Sequence, residues 1–298
     1  MTVTLKRSLF IASFMVPTFV LYCIFTAYPI IQALYISLLK WSGSSANKEF
    51  IGLANFREML HDPVILKAVA NDYFLVFWKI VGIMTLSIFF AVAITRFKIK
   101  GAVFYKIAFY IPNLLSIVVI AILWRFIYHP SMGLLNAFLS LIMGRKIETP
   151  WLGDKTYAIW ALLPPAIWAG IGFFMILLIA AITSIPTSLY ESSEIDGASQ
   201  WKQFIHITFP LIWEQVKVSV VYIVISSLNG NFGIVQVMTP NGGTDNSTQV
   251  MGFYLYDQGF LRYHMGYASS IGVLILVLSL LTTVILQRLM RREVHEVS

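Results

Sequence analysis

Five neutral polar side chains, Ser226, Ser227, Asn229, Asn231 and Gln236, fall at and beyond the middle of a largely apolar run from Gln215 to Met238. Hydroxyls and carboxamides donate and accept without charge, the chemistry that holds a hydroxyl-rich ligand between aromatic faces. Gly230 and Gly233 are expected to weaken a helix at the same depth, and interrupted helices are where carriers build sites near the membrane midplane. A second apolar run, Tyr157 to Ile182, is interrupted at Pro164-Pro165 and continues through Trp168, Gly170 and Phe173, which offer stacking surface. Tyr222 precedes Ser226 by about one helical turn. The same residue types also bind helices to one another in lipid, so two roles stay open for each: ligand contact or interhelical packing.

Covalent, redox and metal chemistry find no comparable pattern. His61, His129, His206, His264 and His295 are scattered without metal-ligand spacing, and no Ser/His/Asp motif is present. A phosphate-cradling loop needs Gly-x-x-x-x-Gly-Lys-Ser/Thr, whereas the Lys155-Thr156 pair follows Asp154. The single cysteine, Cys23, lies in an apolar run and excludes a disulfide framework. The expectation is a chain that is not an enzyme, with no cofactor of its own and no bound metal.

The elements that must position the polar cluster are membrane spans. The 298 residues are 58% hydrophobic and 12% charged, with a mean hydropathy of +0.78, more apolar than a water-facing surface permits. The net charge of +7 is expected to collect at one membrane face rather than to bind nucleic acid. Stretches of about 20 apolar residues place six spans at Ser8 to Leu39, Tyr73 to Thr95, Val103 to Tyr128, Tyr157 to Ile182, Gln215 to Met238 and Met265 to Gln287. Although Lys6 and Arg7 precede the first, it is too long for a signal core and reads as a retained helix. None of the acids is expected well inside a span, which argues against an ion-coupled carrier. Lys79 is read as a lysine snorkelling near the outer end beside Trp78.

Basic clusters set the orientation. Lys6 and Arg7, then Arg96, Lys98, Lys100 and Lys106, then Arg288, Arg291 and Arg292 fall on one side of a six-span chain, and that side is expected to be cytoplasmic with both termini in it. The opposite segments, Lys40 to Asp72, His129 to Thr156 and Thr239 to His264, mix bases with acids. Asn246-Ser247-Thr248 matches a glycosylation sequon but sits more simply in an outward docking or gating loop. Residues 1–298 read as one transmembrane domain, with a polar segment, 184–214, that is longer than a plain connection between helices requires.

In that segment Ser188 and Glu191 have capping-box spacing, Gly197 stands where a short helix can end, and Pro210 is expected to break the chain before the fifth span. Glu191, Gly197, Ile207 and Pro210 fall at the spacing of the Glu-Ala-Ala loop, and Asp196-Gly197-Ala198 has the form common in its carbohydrate branch. The segment resembles that loop of the permease subunits of binding-protein-dependent ATP-binding-cassette importers. Ser192 and Ser193 replace the paired alanines and Phe209 the usual leucine, while Gly52-Leu53-Ala54-Asn55-Phe56, Asp62-Pro63, Pro112, Trp124, Gly133-Leu134-Leu135-Asn136 and Gly266-Tyr267-Ala268 extend the likeness along the chain. Thr239, Gly242-Gly243, Ser247-Thr248 and Phe260 follow the same pattern.

The resemblance implies an all-α integral membrane protein with six transmembrane helices and a type I importer permease fold, similar to the larger maltose-type permeases. It implies a multi-pass protein of the prokaryotic inner membrane that moves a sugar or oligosaccharide by alternating access. Its partners would be a second permease, two ATPase subunits that bind MgATP, and an extracytoplasmic substrate-binding protein. Glu191, Ser192, Ser193, Glu194, Asp196, Gly197, Ala198 and Pro210 would form the ATPase-coupling loop, small residues allowing close approach and carboxylates meeting cations on the ATPase. Gly170, Ser226, Ser227 and Asn231 occupy positions where the maltose-type permease contacts its substrate; Trp168, Phe173, Tyr222 and Asn229 complete the expected carbohydrate site. An importer of the same type for a nonsugar solute, or an ion-coupled carrier, is the alternative.

Overall fold

The computed structural model describes residues 3–45, 47–97, 99 and 101–291; Lys98, Lys100, Arg292 and His295 lie outside them. In chain order the helices are α1 (Val3–Tyr22), continued through a π turn (Cys23–Ala27) into α2 (Tyr28–Ile36), α3 (Ala54–His61), α4 (Pro63–Arg96), α5 (Ala102–Leu114), α6 (Ile117–Ile127) and α7 (Leu134–Met143). After these come α8 (Ala158–Ala161), α9 (Leu163–Thr183), α10 (Thr187–Ile195), α11 (Gln200–Gln203), α12 (Phe209–Leu211), α13 (Trp213–Met238), α14 (Met251–Tyr256) and α15 (Met265–Leu289). Strands β1 (Leu39–Lys40) and β2 (Glu49–Phe50) form a short antiparallel pair with Leu39 opposite Phe50.

Among the described residues five helical segments are long and apolar enough to cross a membrane, and the bent pair of α5 and α6 makes six if it counts as one span. That bend of 100° corrects the expectation of one helix from Val103 to Tyr128. Pro112 leaves one backbone carbonyl of α5 without its amide, Leu115 turns extended (φ −80, ψ 143), and Ser116 starts α6 by accepting a hydrogen bond from the Val118 amide.

The chain divides into two compact units. In the first, Met1–Asp62 with Leu255–Leu276, the first span leaves apolar side chains such as Phe10, Phe14 and Phe25 exposed. A helix apolar all round suits lipid. The buried Asn55 carboxamide donates to the carbonyls of Ser37 at 2.8 Å and Leu39 at 3.0 Å, fixing the turn into the strand pair, and the Tyr267 hydroxyl donates to Asp62 at 2.7 Å.

The second unit, Pro63–Tyr254 with Val277–Ser298, is built round α9, which packs on α4, α5 and α13. Close approach is set by small residues. A Cβ on Gly172 would collide with the Phe109 backbone, and one on Gly170 would lie 2.7 Å from Ile83; the buried Ser87 hydroxyl donates to the Ile171 carbonyl at 3.0 Å. Met175, Leu178, Ile223 and Val224 fill the core between these helices.

Of the two expected interruptions, the one at Pro164-Pro165 falls just before the prolines: α8 ends at Ala161, the chain turns at Leu162, and both prolines stand in the first turn of α9, which tolerates a missing amide hydrogen. α13 runs without interruption through Gly230 and Gly233; packing supplies what glycine's propensity withholds.

Candidate functional site

α4, α5, α9 and α13 enclose a cleft of about 340 Å³ in the second unit. Phe173 and Tyr222 form one wall, their ring centroids 5.8 Å apart. Ser226, Ser227 and Gly170 line it with them, as do three polar residues the sequence reading did not place there: Lys79, Tyr110 and Asn113. Ser226 donates to the Ile223 carbonyl and Asn113 to the Ala169 carbonyl, which leaves their oxygens to accept from a ligand. The arrangement offers a flat aromatic face, hydroxyls, a carboxamide and one ammonium.

Trp168, Asn229 and Asn231 lie outside the cleft lining. Trp168 pairs with Trp124 at 6.3 Å between centroids, and Asn229 is exposed and donates to the Ile225 carbonyl one turn back. Asn231 is buried, and its carboxamide serves a different purpose. Its Oδ1 accepts from the Lys79 ammonium, and its Nδ2 donates to Asp72 at 2.7 Å.

Asp72 bears on the expectation that no acid lies well inside a span. α4 begins at Pro63, so Asp72 sits within it, fully buried, with its second oxygen accepting from the Met251 amide at 2.8 Å. Lys79 is likewise no snorkelling side chain: it is half-buried and engaged with Asn231. The signal that could have found this pair is the interval of seven residues between Asp72 and Lys79, two helical turns on one face.

The head of α4 also holds the 239–251 loop. Lys67 donates to the Asp245 carbonyl at 2.6 Å, and the buried Asn71 donates to the carbonyls of Ser247 at 3.1 Å and Gln249 at 2.9 Å. Asn241, Asp245 and Asn246 have positive φ there, a conformation that needs such anchorage to persist.

At the other end of α4, the 184–214 segment folds into α10 and α11. Gly197 (φ +74) ends α10: its amide donates to the Glu194 carbonyl at 3.0 Å and the Ala198 amide to the Ser193 carbonyl at 2.9 Å, the paired bonds of a Schellman motif. The expected capping box is absent, because the N-cap is Pro186 and Ser188 lies inside the helix. Nor does Pro210 break the chain: a π turn at Phe204–Thr208 leads into α12, with Pro210 in its first turn, and the backbone departs from helical geometry only at Ile212 (φ −90, ψ 3).

Beneath this surface is an anchor that sequence spacing did not reveal. The Arg96 guanidinium lies 3.5 Å from the Tyr190 ring centroid and donates to Gln203 Oε1 at 2.9 Å. Gln203 Nε2 donates to the Ser193 hydroxyl at 3.0 Å, and the Tyr190 and Thr208 hydroxyls share a hydrogen bond of 3.0 Å. Glu191, Ser192, Glu194, Asp196 and Gly197 face outward, together with Ile195 at 87% exposure and Trp201 at 68%. Ser193, Ala198 and Pro210 are partly covered.

The family described as the binding-protein-dependent transport system inner membrane component matches residues 83–295. The chain is 34% identical over 286 residues to the diacetylchitobiose uptake system permease protein NgcF of Streptomyces coelicolor, covering 93% of this chain and 81% of that one. It is also 34% identical over 273 residues to the probable ABC transporter permease protein YurN of Bacillus subtilis, covering 90% and 91%. Among solved structures, a chain of a bacterial ABC transporter involved in importing the acidic polysaccharide alginate superposes with a TM-score of 0.85 at 24% identity, over 97% of this chain and 98% of that one. This last likeness concerns the fold.

Proposed function

The chain belongs to the family of binding-protein-dependent transport system inner membrane components, and from that premise we propose that it is the permease subunit of an ATP-driven importer of a sugar or oligosaccharide. It pairs with a second permease, receives cargo from an extracytoplasmic binding protein, and is driven by two ATPase subunits that bind and hydrolyse MgATP. Both termini lie in the cytoplasm with the 184–214 segment. The observation that carries the cargo class is the aromatic wall of Phe173 and Tyr222 in the same cleft lining as Ser226 and Ser227. Ring faces stack on the C–H faces of a sugar while neutral donors and acceptors meet its hydroxyls. NgcF, named for uptake of a disaccharide, supports the same class.

In this reading α10 and its flanks seat in the ATPase. ATP binding closes the cytoplasmic side and opens the cleft outward; hydrolysis resets it. Glu191, Ser192, Glu194 and Asp196 meet the ATPase directly, Gly197 and Ala198 shape the end of α10, and Ser193 and Pro210 keep the surface in register. The test is co-purification with the binding protein, identification of its ligand by mass spectrometry, and uptake of that ligand into liposomes carrying the assembled complex. ATP-dependent uptake of a carbohydrate is expected. A noncarbohydrate ligand would remove the cargo assignment, and uptake without any ATPase subunit would remove the ATP-driven mechanism.

A further inference from the structure

Lys79 is the one charged side chain among the residues lining the cleft. Its ammonium has three donors and gives one to Asn231 Oδ1. Asn231 in turn separates it from Asp72, whose two oxygens are taken by the Asn231 carboxamide and the Met251 amide. The carboxylate therefore balances the cation across Asn231 without taking a hydrogen bond from it, and Lys79 lines the cleft. Ser226, the Ser227 hydroxyl and Tyr110 stand in the same lining, and no Asp or Glu does.

Ring hydroxyls of an uncharged sugar donate as well as accept, so a site for them profits from a charged acceptor. This cleft has the opposite bias. Its strongest group only donates, and a desolvated ammonium gains most from an anionic oxygen. We propose that the cargo carries such a group, a carboxylate or a phosphate on a sugar, and that Lys79 is the residue that selects it, held in position by Asn231 and Asp72. The inference rests on the carbohydrate-importer reading and adds the charge of the cargo to it.

The experiment uses the full complex, with its second permease and ATPase subunits, in nanodiscs of zwitterionic lipid. Saturation-transfer NMR titrations compare digalacturonate with digalactose, and glucose 6-phosphate with glucose, so that carboxylate and phosphate are read separately. At least one anionic probe is expected to bind about tenfold more tightly than its neutral counterpart. Lys79→Arg should keep that preference, and Lys79→Met combined with Asp72→Asn should reduce it to within about twofold. Equal binding of the neutral probes by the wild-type complex overturns the inference, as does a preference that survives in the folded double variant; the wild-type comparison decides the matter even where a variant does not assemble. If none of the four probes binds while the complex imports a noncarbohydrate ligand, the carbohydrate reading itself fails, a pattern distinct from neutral sugars binding alone.

Discussion

Replacing Asn231 by leucine removes in one step the partner of a half-buried cation and of a buried carboxylate. Sequence alone leads to the expectation that leucine at Asn231 or Ser227 lowers uptake and leaves assembly intact; the structure separates the two positions. Asn231→Leu should destabilise the purified permease by about 3 kcal/mol or more, seen as a lowered unfolding midpoint in detergent, and Asp72→Asn in the same chain should recover part of the loss. Ser227 lies in the cleft lining without that burden, so Ser227→Ala should raise the KM for uptake severalfold while the unfolding midpoint stays close to wild type. Equal midpoints for Asn231→Leu and wild type would falsify the bridging role. Residue types at 226, 227 and 222 made the cleft legible in the sequence because neutral polar and aromatic side chains stand out in an apolar run. The seven-residue interval puts Asp72 and Lys79 on one face of a helix, but charge normally marks the end of a span, and only the folded helix shows the two sharing a partner on α13.

At the scale of elements, the 184–214 segment owes its shape to one glycine and one arginine. A Cβ on Gly197 meets nothing within 4 Å, so substitution there acts through the left-handed backbone and costs about 1 kcal/mol. Gly197→Asn should retain most ATPase binding and Gly197→Val should lose it, in the order of their tolerance for positive φ; pull-down of the ATPase from solubilised membranes checks the order. Arg96→Met removes the cation from the Tyr190 ring and the donor from Gln203. With α10 released from α4, ATP hydrolysis in liposomes should continue at a lowered number of cargo molecules per ATP. Glu191→Lys, on the exposed face, should instead lower ATPase retention. The end of α10 could be read from Gly197, since a positive-φ requirement is written in the residue type. The bend between α5 and α6 could not, since both arms are equally apolar and the fold, with Ser116 as cap, decides where the helix turns.

For the molecule as a whole, the charge bias of the segments between spans makes a topological prediction. A cysteine probe at Asn241 should react with an impermeant reagent in intact spheroplasts and one at Gln200 should not; both positions are exposed. The reverse pattern would invert the orientation and take the coupling role of the 184–214 segment with it. Hydropathy sufficed for five spans and for the apolar stretch that folds as the bent pair of α5 and α6, whereas the division into two units depends on long-range packing that no local window contains.

One helix joins three polar sites of the second unit. α4, 34 residues and about 50 Å long, grips the 239–251 loop through Lys67, Asn71 and Asp72, presents Lys79 to the cleft, and sets Arg96 against Tyr190 at the base of the 184–214 segment. Equilibrium binding at two sites of one molecule is reciprocal by thermodynamic necessity, and α4 physically joins these two. Whatever factor an occupied cleft adds to ATPase affinity, a docked ATPase must add to cargo affinity, and Arg96→Met should shrink both factors together. Titrating cargo with and without nucleotide-bound ATPase, and ATPase with and without cargo, measures two sides of one quantity; the four equilibria must close.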